Sequence, residues 1–262
     1  MASFISTNET LERRQNGVVS RTGGKIINRV LEESAGVHAG RFVCPSGTAG
    51  VACEDIDSAA DAKIALGPLV YRPMAYDADL TDGAPHYAEN EVTSILEEGY
   101  IFVDCEGTAV AESPVYVRHT SDGGSNTELG KVRGDSDGTV VIDTTANAVE
   151  GVYSITLDNG VVQETFPYTT DGSATTGEII AGLVAAIDAS SNYAAAGTTE
   201  ITITRSAGTE IKIVELRAPT AATQLLWVVT DNQKAAKVPN AYFAESRTGA
   251  GLVEIRVGAP NR

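Results

Sequence analysis

"EVTSILEEGYIFVDCEG", residues 91–107, places two apolar runs on either side of Glu97-Glu98-Gly99. Both runs are short and rich in β-branched and aromatic residues, so the pattern predicts a β-hairpin with Glu97-Glu98-Gly99 as its turn. The same short-strand style surrounds it. "RFVCP" (41–45), "LGPLVYRPMAY" (66–76) and "SPVYVRHT" (113–120) read as strands, and "SDGGSNTELGKVRGDSDG" (121–138) reads as a surface loop followed by a short edge segment.

One stretch breaks the pattern. In "SATTGEIIAGLVAAIDASS" (173–191), Thr175 is placed to cap a helix with Glu178 reaching back to it, and Ile179, Ile180, Leu183, Val184 and Ile187 recur at helical spacing. About 13 residues with Gly182 in the middle make a marginal helix, so the stripe requires an apolar partner. The flanks supply one. "VYSITLDNG" and "VVQETFPYTTDG" precede it with Asp158-Asn159-Gly160 as a hairpin turn, and "TEITITRSAGTEIKIVEL" follows with Ile201, Ile203, Ile211 and Ile213 alternating. The order predicts a ββαββ module with its sheet under its helix. After it, "NAYFAES" and "LVEIRV" resume the earlier style, which marks the module as an insertion at 139–231 into a β domain of 37–138 plus 232–262, preceded by an extended N-terminal arm at 1–36.

With 262 residues, 42% of them apolar, and 26 glycines, the chain can bury a sizeable core and make many turns. No window approaches 18 consecutive apolar residues and the first residues lack a secretory apolar stretch, so the expectation is a soluble, unprocessed protein made in the cytoplasm, without a membrane partner. Cys44, Cys53 and Cys105 form no CxxC and are expected as buried small apolar residues. A net charge of −16 argues against a nucleic-acid partner. The charge is uneven: Arg13, Arg14, Arg21, Lys25 and Arg29 against Glu9 and Glu12 give residues 1–30 a balance of +3, leaving −19 on the remainder.

Catalytic patterns are thin. His38, His86 and His119 stand far apart in sequence without metal-pair spacing, "CPSGTAG" (44–50) lacks the Gly-Lys-Ser/Thr of a phosphate loop, and Ser46 is not in a Gly-x-Ser-x-Gly elbow. "DADLTDG" (77–83) resembles the start of a calcium loop through Asp77, Asp79 and Asp82, but the third carboxylate falls one position late and the closing position is Ala88 rather than Glu. Aromatics are 6% with Trp227 as sole tryptophan, which disfavours a sugar platform; Tyr71, Tyr76, Tyr87, Tyr100 and Tyr116 are expected at core edges or an interface. The reading is therefore non-enzymatic, with no catalytic, cofactor or metal residues assigned.

"KVPNAYFAESRTGAGLVEIRV" (237–257) resembles the C-terminus of the tailed-phage structural cement, or capsid decoration, proteins. "SAGVHAGRFV", "EEGYIFVDCEG", "SPVYVRHTSDGG" and "LGKVRGDSDG" are similar to that family's pattern in the same order. The resemblance implies a small β-barrel or jelly-roll-like sandwich domain on the outer surface of an assembled virion capsid. There it would bridge major capsid protein subunits and stabilise the shell as a homodimer or homotrimer. The inserted module resembles units of other phage structural proteins. The arm is then expected to cross an acidic capsid surface through Arg13, Arg14 and Arg21 and to be dispensable for folding. A tail- or fibre-associated protein contacting a host surface through the insertion is the alternative, and a hydrolase with a dispersed site is a distant third.

Overall fold

The structure, a computed structural model, describes residues 15–47, 50–71, 86–124, 128–144, 149–219 and 227–258. It is mainly β and divides into two compact units, 1–134 with 234–262, and 135–233. In chain order the first unit holds β1 (Lys25–Leu31), β2 (Val37–His38), β3 (Phe42–Pro45), β4 (Ala52–Asp55) and the short helix α1 (Ala59–Lys63). It continues with β5 (Gly67–Pro68), β6 (His86–Tyr87), β7 (Val92–Cys105), β8 (Pro114–Arg118) and β9 (Val132–Arg133). The second unit holds β10 (Thr139–Thr144), β11 (Val152–Asp158), β12 (Gln163–Thr169), α2 (Thr176–Asp188), β13 (Tyr193–Ala196), β14 (Glu200–Arg205), β15 (Lys212–Arg217) and β16 (Trp227–Asp231). The chain then returns to the first unit for β17 (Ala235–Phe243) and β18 (Gly251–Val257).

The expected hairpin at 91–107 does not form. Residues 92–105 are one continuous strand of 14 residues, β7, and Glu97-Glu98-Gly99 is a bulge within it. A turn would have folded the two apolar runs onto each other; instead each finds a different partner. Residues 92–98 pair with β1 and residues 99–105 with β18. The handover needs glycine on both strands. Gly99 sits at φ +136°, and a Cβ on it would lie 3.0 Å from the Gly24 Cα, while the β1–β7 register shifts at Lys25/Ile26.

β18 also pairs with β17, β17 with β8, β8 with β9, and β9 returns to β7 at Cys105↔Val132. These five strands close a small β-barrel, and β1, β4, β3 and β5 extend the sheet from the other side of β7. Alternation fills the ring: Ile101, Val103, Cys105, Val253, Ile255 and Val257 point inward with Val115, Val117 and Phe243, and Ala62 of α1 joins the same core. Each fully buried Ile or Phe stabilises the barrel by about 1.5–3 kcal/mol.

Residues assigned to an arm are part of this body. The Gly17 and Ser20 N–H groups donate to the Phe102 and Tyr100 carbonyls of β7, the Phe102 N–H donates to the Val18 carbonyl, Val19 bridges Ile101, and β1 is an internal strand between β7 and β4. Local polarity hid this, because the residues of β1 are exposed or half-buried except for Leu31, which is fully buried. Arg13 and Arg14 lie outside the described residues.

The second unit differs from the ββαββ expectation. Its order is βββαββββ, in a four-stranded sheet β13-β14-β10-β16 and a three-stranded sheet β12-β11-β15. The four expected strands exist but do not share one sheet. Ile201 and Ile203 pair with β10, whereas Ile155 pairs with β12 and β15, a choice of partners that alternation alone does not encode. Both sheets and α2 enclose one core of Val140, Ile142, Tyr153, Ile155, Leu157, Phe166 and the helix residues Ile179, Ile180, Leu183 and Ile187.

Thr175 caps α2, its Oγ1 accepting from the Glu178 N–H at 3.1 Å. Glu178 does not return to the cap; it accepts from the Tyr168 hydroxyl at 2.6 Å and the Asp171 N–H at 3.2 Å. Tyr168 explains Gly182: a Cβ there would stand 2.1 Å from the tyrosine ring. Gly182→Ala should therefore destabilise the protein by about 1–3 kcal/mol through overpacking, reversing the gain of about 1 kcal/mol that helix propensity alone predicts. Thermal or urea unfolding of the variant checks the sign.

Candidate functional site

The structure brings two of the three histidines together. His38 and His86 face each other across β2 and β6 with ring centroids 5.1 Å apart, although 47 intervening residues made them look unrelated. His86 Nε2 lies 3.0 Å from the Ala35 carbonyl, and His119 is separate, its Nδ1 2.9 Å from the Thr120 hydroxyl. No group of three His, Cys, Asp or Glu side chains that would hold a metal ion occurs among the described residues. Asp77, Asp79 and Asp82 of the calcium-like loop, and Tyr76, lie outside them.

The three cysteines are free and buried. Burial pushes the Cys44 thiol up to about 12, with Asp61 and Glu54 adding to the effect, and burial likewise raises Cys53 and Cys105. All three are held as neutral thiols, the opposite of what a nucleophile requires.

Charged groups of the barrel are largely spent on one another. Arg118, wholly buried at the end of β8, clasps Glu106 with Nε–Oε1 at 2.8 Å and Nη2–Oε2 at 2.7 Å, and Arg133 of β9 adds a contact at 3.1 Å. Glu106 follows β7 directly, so this ion triad sits where the parallel β7–β9 contact closes the ring. Lys131 pairs with Asp104 at 2.9 Å and Glu128 at 3.2 Å, and Arg41 also pairs with Glu128. Arg41 keeps buried Nε and Nη1 groups without a hydrogen-bond partner, and so does the Oδ1 of Asp55 in β4. Burial, reinforced by Glu33 and only partly offset by Arg41, raises the Asp55 carboxyl to about 7.

The outward face of the barrel carries a different arrangement. Tyr242, Arg256 and Tyr100 lie in one row across β17, β18 and β7, since Arg256 is registered with both tyrosines. The Arg256 guanidinium stands 5.3 Å from the Tyr242 ring centroid and 3.8 Å from a Glu112 oxygen. Arg21 stacks over Tyr100 at 3.8 Å and is held by Glu254, Nη2–Oε2 2.7 Å and Nε–Oε1 3.2 Å. The basic residue expected to reach a foreign carboxylate thus already has one from its own chain. Two hollows, of about 180 and 100 Å³, share Arg21, Tyr100 and Arg256 in their walls. The row offers planar, rigid, amphipathic surface and guanidinium donors, and no nucleophile or general base among its members; these are the residue types that dominate protein-binding hot spots.

A scan against protein-family models finds no match, and a search of curated proteins finds none either. The functional reading therefore rests on this geometry and on the sequence.

Of the expected tyrosines, Tyr87 and Tyr116 are buried in the core, while Tyr100 is half-buried on the outward row. Arg256 and Tyr242 were missed because their significance depends on a cross-strand register. The "VEIRV" alternation was the available signal, placing Glu254 and Arg256 opposite the core residues Val253, Ile255 and Val257.

Removing the charge of Glu106 strands Arg118 in the core, so Glu106→Gln should cost about 3–5 kcal/mol, and replacing Arg118 and Glu106 together by apolar residues should cost far less. Denaturant unfolding of the single and double variants measures the difference. Asp55 holds a proton when folded at pH values where the unfolded chain, with a carboxyl near 3.8, has released it. Its effect on stability is nil below about pH 4, grows unfavourable as pH rises, and levels off above 7 at up to about 4 kcal/mol. Asp55→Asn should be more stable than the parent at pH 8 and equal to it at pH 3.5, as read by unfolding at the two pH values.

Proposed function

We propose that this protein is a non-enzymatic virion component that binds the outer surface of an assembled tailed-phage capsid and stabilises it by bridging major capsid protein subunits. The Tyr242–Arg256–Tyr100–Arg21 row on the closed barrel carries the reading. It is a rigid Tyr/Arg surface on a closed barrel, the kind of surface a binding module requires. The ordered resemblance of residues 34–138 and 232–262 to the cement family supplies the partner, and the small barrel agrees with the architecture that family implies. The unit at 135–233 is, in this reading, an inserted α+β module carried by the cement domain, displayed away from the shell or making a second contact with it.

Cementing requires little affinity per copy. Many copies on a repeating lattice act together, and a patch of standard interface size suffices for each. The acidic exterior keeps decorated particles mutually repelling.

Expanded heads of the cognate phage lacking this protein should bind the purified chain stoichiometrically in cosedimentation. Cryo-EM difference density should then bridge capsomers at regular symmetry positions. Arg256→Ala with Tyr100→Ala should weaken that binding by at least tenfold while leaving the barrel folded. Absence of added head density, with the protein found on tails, would instead favour the host-contacting tail or fibre reading.

A further inference from the structure

Sheets with open edges need protection, because an unpaired row of N–H and C=O groups recruits another strand. Among the described residues the second unit has four such edges, and three are blunted. β12 carries Pro167; β15 carries Lys212, Glu215 and Arg217 and a register shift in its pairing; β13 is short, and its Ala195 N–H donates to Asp188. β16 is the least protected: it has no proline, no register shift and a single charge, Asp231, at its end. Its sequence is Trp-Val-Val-Thr-Asp, its register with β10 is unbroken, and Val228 and Val229 are 47% and 44% exposed.

The direction of its free groups follows from one hydrogen bond. The Asn232 N–H donates to the Thr139 carbonyl at 2.9 Å, so by the antiparallel alternation Thr230 and Val228 also turn their backbone groups toward β10. Trp227, Val229 and Asp231 turn theirs outward. Side chains tell the same story on the core face. Ile201, Ile142 and Val229 form one row across β14, β10 and β16; the first two are fully buried, and the row ends on exposed Val229.

We propose that β16 is a self-association edge through which a second copy of this chain pairs antiparallel, centred on Val229. That register is self-complementary. Val229 meets Val229 of the second copy and Trp227 meets Asp231 in both directions, so the three outward residues of each strand form about six main-chain hydrogen bonds. Val228 then lies opposite Thr230, a pair of β-branched residues. The apolar row continues through Val229 into the same row of the second copy. Charge selects this direction: the only ionic residue of the strand is Asp231, and antiparallel pairing sets the two copies of it roughly 13 Å apart, beyond the Debye length of about 8 Å, whereas parallel pairing would set them side by side. The pairing involves no capsid contact and stands independently of the reading above.

The test uses the purified full-length chain alone. Sedimentation equilibrium should give twice the 27.3 kDa chain mass at about 100 µM, and Val229→Lys should return it to the single mass with an unchanged circular-dichroism spectrum. Because the native cysteines are buried, an added thiol reports the register. Val229→Cys should cross-link to a disulfide dimer under mild oxidation at least tenfold faster than Val228→Cys. The Cα atoms of the former stand about 5.5 Å apart in the proposed pair, and those of the latter about 8 Å. A monomeric parent, a trimer, an unchanged mass for Val229→Lys, or equal cross-linking of the two cysteine variants would each overturn the proposal.

Discussion

Everything in the first unit depends on the backbone ladder of β7. Its 14 residues are paired on one side by the N-terminal segment and β1, and on the other by β18, with contacts from β9 at its end. Where β7 is buried between partners, an unpaired N–H would incur its full desolvation penalty, so each partner is held in register by the others. Residues 99–105 of β7 close the barrel and residues 92–98 carry the β1-β4-β3-β5 extension of the same sheet, and Gly24 and Gly99 let the backbones approach at the handover.

Electrostatics follows from that closure. Bringing β7, β8 and β9 together buries Glu106 and Arg118, and the bidentate geometry with Arg133 beside it compensates the loss of water. The result is a chain that is acidic overall yet pairs Arg118, Arg133, Lys131 and Arg41 with its own carboxylates. Arg21 is the informative case: as a basic residue near the N-terminus it reads as free to seek a partner, but it is held by Glu254 and laid over Tyr100. On this row the barrel presents aromatic and guanidinium surface, whose contacts depend less on salt than attraction between exposed ions does.

The second unit is built on different terms. Its core joins two sheets and a helix whose apolar stripe is complete only against Phe166, Tyr193 and the strand residues around them. Among the described residues its two sheets end in open edge strands, whereas the five strands of the barrel close on themselves. A protein carrying both an open strand edge and a Tyr/Arg row would have two separate kinds of binding surface on two separately cored units.

The sequence by itself determined what is local and periodic. The strand-rich character, the helix at 176–188 with its Thr175 cap and apolar stripe, and the burial of all three cysteines are properties of residue spacing and hydrophobicity, and they were legible there. Non-local pairing was not. Glu97-Glu98-Gly99 satisfies the rules of a turn and those of a bulge equally, and only the presence of β1 and β18 on either side decides between them. Gly182 reads as a weakness in a helix until Tyr168 is seen to occupy the space of its missing Cβ. The outward row of Tyr100, Arg256 and Tyr242 exists because three strands distant in sequence share a register. Tertiary structure decided these features because local propensity fixes the direction of each side chain relative to its own strand, whereas the partner it meets is chosen by the closure of the whole sheet.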